Sequence, residues 1–260
     1  MITMLFQEKQ ITDLHLIIDF KMNIALLGYG KMGKTIEKIA ENRGHKIVLK
    51  VNDDIENHEL SDLDIDIAID FSVPKAAFKN ITSCFKNNIP VVSGTTGWLD
   101  DYEKAKKICN ENNSGFIYAS NYSLGVNVFF ELNKKLAEMM QGLEDYSVNI
   151  EEIHHVQKLD APSGTAITLA QQILEENSKL KGWQLEDADK DEIPINAKRE
   201  ENVPGTHTVT YESSIDKIDI VHTAKSREGF ALGAVVAAEF LKDKTGIFTM
   251  KDVLSDLFKN

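Results

Sequence analysis

Between Glu152 and Ala166 the chain reads EIHHVQKLDAPSGTA. Adjacent histidines, His154 and His155, precede Lys158, and a Pro-Ser-Gly-Thr turn follows at once. Imidazoles titrate near neutral pH, and a serine that opens a helix leaves the backbone N–H groups behind it, here those of Gly164 and Thr165, directed at any bound anion. Together these groups suit a site that moves a proton and holds an anion, with one histidine as general acid and the other binding substrate. Adjacent histidines also occur at metal sites. Ligand pairs usually have wider spacing, however, and no convincing third ligand follows, so no metal is expected.

Elements on either side must hold these groups in place. Ser163 is a good N-cap, and Ala166, Leu169, Ala170, Ile173 and Leu174 form the apolar face of a helix from residue 163 to about 177. Upstream, Tyr146, Val148 and Ile150 alternate as in a strand, after a helix from Gly125 through Met140. Downstream come a charged loop over residues 186–192 and strand-like runs at 206–213 and 215–223. Residues 125–234 therefore read as a second, α+β domain with a mostly antiparallel sheet.

The first part of the chain has a different rhythm. An apolar run, Asn23 to Leu27, leads into GYGKMG, and a helix with Met32, Ile36, Ile39 and Ala40 on one face follows, closed by Gly44. A second strand begins at Lys46. Gly28, Gly30 and Gly33 thus have GxGxxG spacing between a strand and a helix: Gly28 permits the tight turn, Gly30 lets backbone approach a pyrophosphate, and Gly33 allows close helix–sheet packing. Strands at 65–71, 91–93 and 115–119 alternate with helices at 75–86 and 100–112, which predicts a Rossmann-like doubly wound parallel sheet. Ligands of such sheets lie beyond the carboxyl ends of the strands, so Phe71-Ser72 and Gly94-Thr95-Thr96-Gly97 should face a dinucleotide. Asp53, after the second strand, is placed to bind the adenosine ribose and to repel a 2'-phosphate, although a solvated loop carboxylate is an equal reading; Lys50 and Lys34 would partly offset it. NADH is favoured over NADPH on this ground. The apolar helix 231–241 and the amphipathic stretch 250–258 complete this lobe, giving a dinucleotide-binding domain of residues 22–124 and 235–260.

The totals set limits. A chain of 260 residues with 42% hydrophobic and 27% charged residues buries one large core or two modest ones. A net charge of -12 argues against nucleic acid or an anionic membrane as partner. Cys84 and Cys109 fit a buried core in a reducing cytoplasm better than a disulfide framework. The leader, residues 1–21, has a short apolar run broken by Asp19, too short to span a bilayer and without the marks of a signal peptide; it is expected to lie outside the core fold.

On EIHHVQKLDAPSGTA, GYGKMG, IDFSVP, VVSGTTG, ASNYSLGVNVFF, HTAKSREGFALGA and TGIFTMKDVL, the chain from Met22 onward resembles the 4-hydroxy-tetrahydrodipicolinate reductase family, also called dihydrodipicolinate reductase. The resemblance implies reduction of a cyclic imine dicarboxylate by NADH or NADPH with loss of water, in diaminopimelate and lysine synthesis, by a cytoplasmic homotetramer, with residues 125–234 as the domain for substrate binding and oligomerisation. It implies that His154 is the proton donor and acceptor, that Lys158 is a second proton donor, and that His155, Gly164 and Thr165 hold substrate carboxylate. It also implies cofactor contacts from Gly28, Tyr29, Gly30, Lys31, Met32 and Gly33, from Gly94, Thr95 and Thr96, and from Ala119, Ser120, Asn121 and Tyr122. A cationic lysine and imidazole would supply both proton and field to the reacting ring.

Two departures stand out. Val73 occupies a position where some relatives carry an arginine for the NADP phosphate, which agrees with the NADH reading. The segment REENVPGTH, Arg199 to His207, differs from the family's commoner glycine-rich form RGGxxxGEH, which leaves its loop shape and any role of Arg199 in substrate binding open. Two other functions compete: a nicotinamide-binding sensor without turnover, and a dehydrogenase acting on an amino acid such as aspartate or homoserine. The intact His154, His155 and Lys158 oppose the first, and the paired anion sites oppose the second.

Overall fold

The computed structural model describes residues 20–52 and 55–259. Two compact units emerge, one from the chain up to Tyr122 together with Phe230 onward, the other from Ser123–Gly229.

The first unit is built on β1 (Asn23–Leu27), β2 (Lys46–Val51), β3 (Ile67–Asp70), β4 (Val91–Ser93), β5 (Gly115–Tyr118) and β11 (Gly246–Phe248). They form one sheet in the order β11-β5-β4-β3-β1-β2 with every pairing parallel. Ile24 to Leu27 are all buried, which is the mark of a central strand covered on both faces. On one face Ala25 and Leu27 pack with Ala77, Ile81 and Phe85 of α2 (Pro74–Lys86) and Ala105 and Cys109 of α3 (Tyr102–Glu111). Chain order reverses beside β1, with β2 on one side and β3 on the other, so the loops after β1 and β3 open a crevice at the carboxyl ends of the strands.

α1 (Lys31–Asn42) follows β1, and α6 (Glu228–Leu241) and α7 (Met250–Leu257) come late in the chain. Glu239 of α6 is buried and accepts from Arg43 Nε and Nη2 at 2.7 and 2.8 Å, and its Oε1 lies 2.8 Å from His45 Nε2. This triad ties α6 to the turn that ends α1. The short β11 was missed in the sequence because Gly246-Ile247-Phe248 is too brief for periodicity.

The second unit has α4 (Leu124–Met140), β6 (Ser147–His154), α5 (Gly164–Glu176), β7 (Gly182–Leu185), β8 (Glu192–Arg199), β9 (Gly205–Glu212) and β10 (Lys217–Ala224). Its sheet is mixed, in the order β10-β9-β6-β8-β7: β10/β9 and β9/β6 are antiparallel, while β6/β8 and β8/β7 are parallel. Val148, Ile150, Ile195, Val209 and Tyr211 pack with Phe129 and Ala137 of α4 and Ala166, Leu169 and Ile173 of α5. β7 and β8 lie on either side of the charged loop 186–192, where the sequence pattern suggests no strand. Pro194 discourages a strand assignment, yet it pairs only with Gln184 of β7, and β8 turns to β6 from Ile195 onward, so no ladder bond on that side is lost.

Removing Glu239 would leave the partly buried Arg43 without its counter-charge and the buried His45 without its hydrogen-bond partner. Glu239→Ala is therefore expected to cost about 3–5 kcal/mol in urea unfolding. Glu239→Gln, which keeps the volume, should cost less.

Candidate active site

The alternation that buries Val148 and Ile150 continues along β6 to Glu152 and His154, so the inward face of a core strand turns polar at its end. The same happens on β9. Val148 lies opposite Tyr211, Ile150 opposite Val209, and in the same register Glu152 lies opposite His207. On the other side His154 pairs with Arg199 of β8. One register thus sets the apolar core and gathers Glu152, His154, His207 and Arg199 at the end of the sheet.

Glu152 is fully buried. Both of its oxygens lie 3.1 Å from the backbone nitrogen of Ser163, which donates to them. Oε2 lies 3.6 Å from His154 Nδ1 and 3.6 Å from His207 Nε2, and Oε1 lies 3.5 Å from Arg199 Nη1. Ser163 caps α5 as its sequence predicts, its Oγ accepting from Ala166 N, and that Oγ is also 3.0 Å from His207 Nε2. The first N–H groups of the helix, on Gly164 and Thr165, have no acceptor within the helix, and no protein atom lies within 4 Å of where a Cβ on Gly164 would stand.

These contacts set the charge states. Burial opposes ionisation of Glu152, but the polar groups turned toward it, His207 at 3.6 Å and Ser163 with its donating backbone N–H, outweigh burial and hold the carboxyl down at about 2. Burial pushes His154 down to about 4, against the attraction of Glu152 and with help from His207, Lys158 and Arg199. With that shift His154 rests neutral at pH 7, so a cationic imidazole there requires an added negative charge beside it. Lys158 is no isolated cation either: its Nζ is 2.7 Å from Asp160 Oδ2. Arg199 donates to the carbonyls of Lys158 and Asp160 at 3.2 and 2.7 Å, so it fixes the lysine loop to the sheet. The Nδ1 atoms of His154, His155 and His207 are buried without a hydrogen-bond partner.

The sequence offered no third metal ligand, but the fold brings Glu152, His154 and His207 close enough to hold an ion. The flanking Arg199 and Lys158 oppose a divalent cation there.

In the first unit, Met32, Phe71, Ser72, Pro74, Gly94, Thr95 and Thr96 line a cleft of about 220 Å³. Gly28 has φ +92°, and a Cβ there would fall 2.2 Å from the Phe71 carbonyl oxygen; a Cβ at Gly33 would fall 2.3 Å from the Gly28 oxygen, whereas Gly30 faces open space. A turn closed by its neighbours and open at Gly30 fits a dinucleotide pyrophosphate approaching the start of α1. Tyr29 donates its N–H to Asn52 Oδ1 at 2.7 Å, its hydroxyl bonds Glu37, and Glu37 pairs with Lys50. Lys50 is thereby committed, and its Nζ lies 4.8 Å from the Tyr29 ring centroid. Lys31 and Met32 open α1, while Asp53 falls outside the described residues.

Two of the expected cofactor residues have their side chains engaged elsewhere. Tyr122 is buried and donates to the carbonyls of Ser93 and Ile117, which leaves only its backbone for a ligand. Thr95 donates to Asp70 and accepts from Ser72 N, so its hydroxyl braces the cleft. Ala119 donates its N–H to the Ser93 carbonyl at 3.2 Å, and Ser120 and Asn121 continue the loop after β5. Asp70 went unnoticed in the sequence. Fully buried, it accepts from Ser72, Ser93 and Thr95, with Asn80 at 3.4 Å, and so fixes both loops that line the cleft. A carboxylate closing an otherwise apolar parallel strand was the available signal.

Family models described as dihydrodipicolinate reductase, N-terminus and C-terminus, match residues 22–122 and 125–254. A 4-hydroxy-tetrahydrodipicolinate reductase of Christiangramia forsetii is 83% identical over 239 residues, covering 92% of this chain and 100% of that protein. One from Thermosipho africanus is 35% identical, covering 91% and 100%. Among solved structures, a dipicolinate-bound dihydrodipicolinate reductase from Paenisporosarcina sp. TG-14 matches with a TM-score of 0.70 at 25% identity over 88% of this chain and 98% of that one.

Two predictions follow from the geometry. Gly30→Ala, with room for its methyl group, should leave the thermal midpoint unchanged and weaken dinucleotide binding about tenfold or more, as read by nucleotide fluorescence titration. Because the folded pKa values of His154 and Glu152 both lie below their unfolded values, the unfolded chain binds more protons in acid. Stability from His154 should be full above about pH 6.5 and lost toward pH 4, and that from Glu152 full above about 4.5 and lost toward 2, each with a slope of at most about 1.4 kcal/mol per pH unit. Urea unfolding across this range should show the first segment flattened in His154→Gln.

Proposed function

This chain belongs to the dihydrodipicolinate reductase family and is an oxidoreductase served by a nicotinamide dinucleotide, and from that premise we propose that it reduces 4-hydroxy-tetrahydrodipicolinate to tetrahydrodipicolinate with loss of water, in diaminopimelate and lysine synthesis. The observation that carries this reading is the joining of His154 to the capped start of α5 through Glu152 and Ser163, a proton site and an anion site on one carboxylate. A dicarboxylate needs both.

When bound, the reduced nicotinamide supplies hydride. The residues of this chain hold and protonate the substrate. Backbone N–H groups of Gly164 and Thr165 and the Thr165 hydroxyl receive a carboxylate at the positive end of α5, with His155 as a further contact. His154 and Lys158 deliver protons as negative charge develops on the ring. A dianionic substrate beside His154 favours the imidazolium form, and so converts the neutral resting histidine into a proton donor on binding. Gly28 to Gly33, Gly94 to Thr96 and the loop from Ala119 to Tyr122 cradle the dinucleotide.

NADH is proposed as the preferred cofactor. Supporting this, Val73 beside the cleft carries no charge and Lys50 is engaged by Glu37 and Tyr29. The homotetramer proposed for the second unit is supported by β10, an edge strand that exposes Val221 and Ile218. The free cysteines Cys84 and Cys109 support a cytoplasmic location.

The test is direct. Supplied with the upstream synthase's product, the purified protein should oxidise NADH with a higher kcat/KM than NADPH, and no oxidation of either would overturn the assignment. His154→Ala and Lys158→Ala should each lower kcat by about 10²–10⁴-fold, whereas His155→Ala should act chiefly on KM. Unchanged turnover in either of the first two would remove that residue from the chemistry.

A further inference from the structure

Resting on the reading of His154 as proton donor, we propose that Glu152 is its positioning residue, and that one carboxylate bonded to the Ser163 N–H and facing His154 and His207 couples proton delivery to anion binding at the start of α5.

The contacts made by Glu152 are unusual for a fully buried carboxylate. Its one short donor is the Ser163 N–H, shared between both oxygens, while His154, His207 and Arg199 stand at 3.5–3.6 Å. That separation is outside hydrogen-bonding range. It leaves His154 Nδ1 buried and unpaired, with Glu152 Oε2 the carboxylate oxygen beside it. A shift of about half an ångström closes the bond, and hydrogen bonds that are long in a ligand-free site commonly tighten when substrate binds.

Closing it has a chemical consequence. The nitrogen of an imidazole that faces a carboxylate carries the proton, and the opposite nitrogen is presented to the reactant. With Nδ1 turned to Glu152, Nε2 is the presented atom. It lies against Gly205, where a Cβ would come within 3.0 Å of it, so glycine at this position leaves room around the reactive nitrogen. His207 packs edge-on against His154 with ring centroids 5.0 Å apart and limits its rotation.

The second half of the coupling runs through Ser163. Its N–H is held by Glu152, its Oγ contacts His207 and caps α5, and the next two residues supply the anion-binding N–H groups. An anion that draws in the helix start moves Ser163, and with it the carboxylate that orients His154. Facing His154 are Glu152 on its own strand, His207 from β9, Arg199 from β8 and Lys158 from the loop. Glu152 is the one negative group among them.

Glu152→Gln keeps the size and an acceptor for Ser163 but removes the charge. It is expected to lower kcat about 10- to 100-fold, part of the ~10²–10⁴-fold that a proton donor contributes, with KM changed less than about threefold, while Glu152→Asp recovers part of the loss. NADH binding, measured alongside, should stay near that of the parent, while the thermal midpoint should fall, since ionised Glu152 contributes to stability at neutral pH. Imidazole ¹⁵N NMR of the ligand-free protein reads the same device without turnover: the parent should show His154 protonated at Nδ1, and Glu152→Gln should shift that tautomer balance and lower the titration midpoint. An unchanged His154 spectrum in Glu152→Gln, or in Glu152→Asp if the first variant fails to fold, overturns the proposal. So does inhibition of the parent by micromolar Zn²⁺ with the same loss of kcat and displacement of the His154 resonance, which would make the trio a metal site. A parent that fails to reduce the dicarboxylate yet shows the Glu152-dependent tautomer sinks the assigned reaction and leaves the orienting pair standing.

Discussion

The pairing of β6 with β9 is the constraint on which the second unit depends. Its register is fixed by apolar pairs, Val148 with Tyr211 and Ile150 with Val209, which bury against α4 and α5. Because side chains alternate, a slip of one residue would turn the whole inward set to the other face. The same register carries Glu152 and His207 inward as a pair and sets His154 one step further along. The polar site therefore inherits its precision from the hydrophobic core beneath it.

The first unit follows a comparable logic with a different strand type. Its central strands are buried on both faces, so a polar side chain at a strand end has no solvent to satisfy it and must be met by its neighbours. Asp70 is such a residue. Burial raises its pKa, and donors from Ser72, Thr95, Ser93 and Asn80 oppose that rise. In satisfying the carboxylate these donors fix the two loops that form the cleft wall, and Thr95 uses its hydroxyl inside the wall. In both units a buried carboxylate at the end of a strand organises the loops around it.

Much of this was legible in the sequence, and the parts that were not share a cause. GYGKMG, the parallel strands and the Ser163 cap are local patterns, and each was read from neighbouring residues. β8 was missed because Pro194 and the surrounding charges break the local pattern, and the strand is tolerated only because pairing passes from β7 to β6 at Ile195. His207 closes the segment Arg199 to His207, but nothing near it in the chain names its partner: it meets Glu152 only through register, across a long intervening chain. What was visible, in hindsight of the fold, is that Glu152 and His154 follow Val148 and Ile150 at alternate positions, and that His207 precedes Val209 and Tyr211 in the same way. Polar side chains where alternation calls for apolar ones mark a place where folding preference yields to function.

The neutral resting state of His154 then acquires a rationale. A buried imidazolium would be repelled by Arg199 and by Lys158, the latter partly offset by its pair with Asp160, with Glu152 as the attracting group beside it, and the core would bear the cost. Keeping the histidine neutral avoids this in the empty protein. Under the proposed reaction the missing negative charge arrives with the substrate, whose carboxylates bind at the α5 start and offset Arg199 and Lys158. The field that disfavoured protonation is cancelled by the molecule that needs the proton. A donor charged at rest would lack this dependence, so burial of His154 among cations, which looks unfavourable in isolation, makes protonation conditional on an anion being bound.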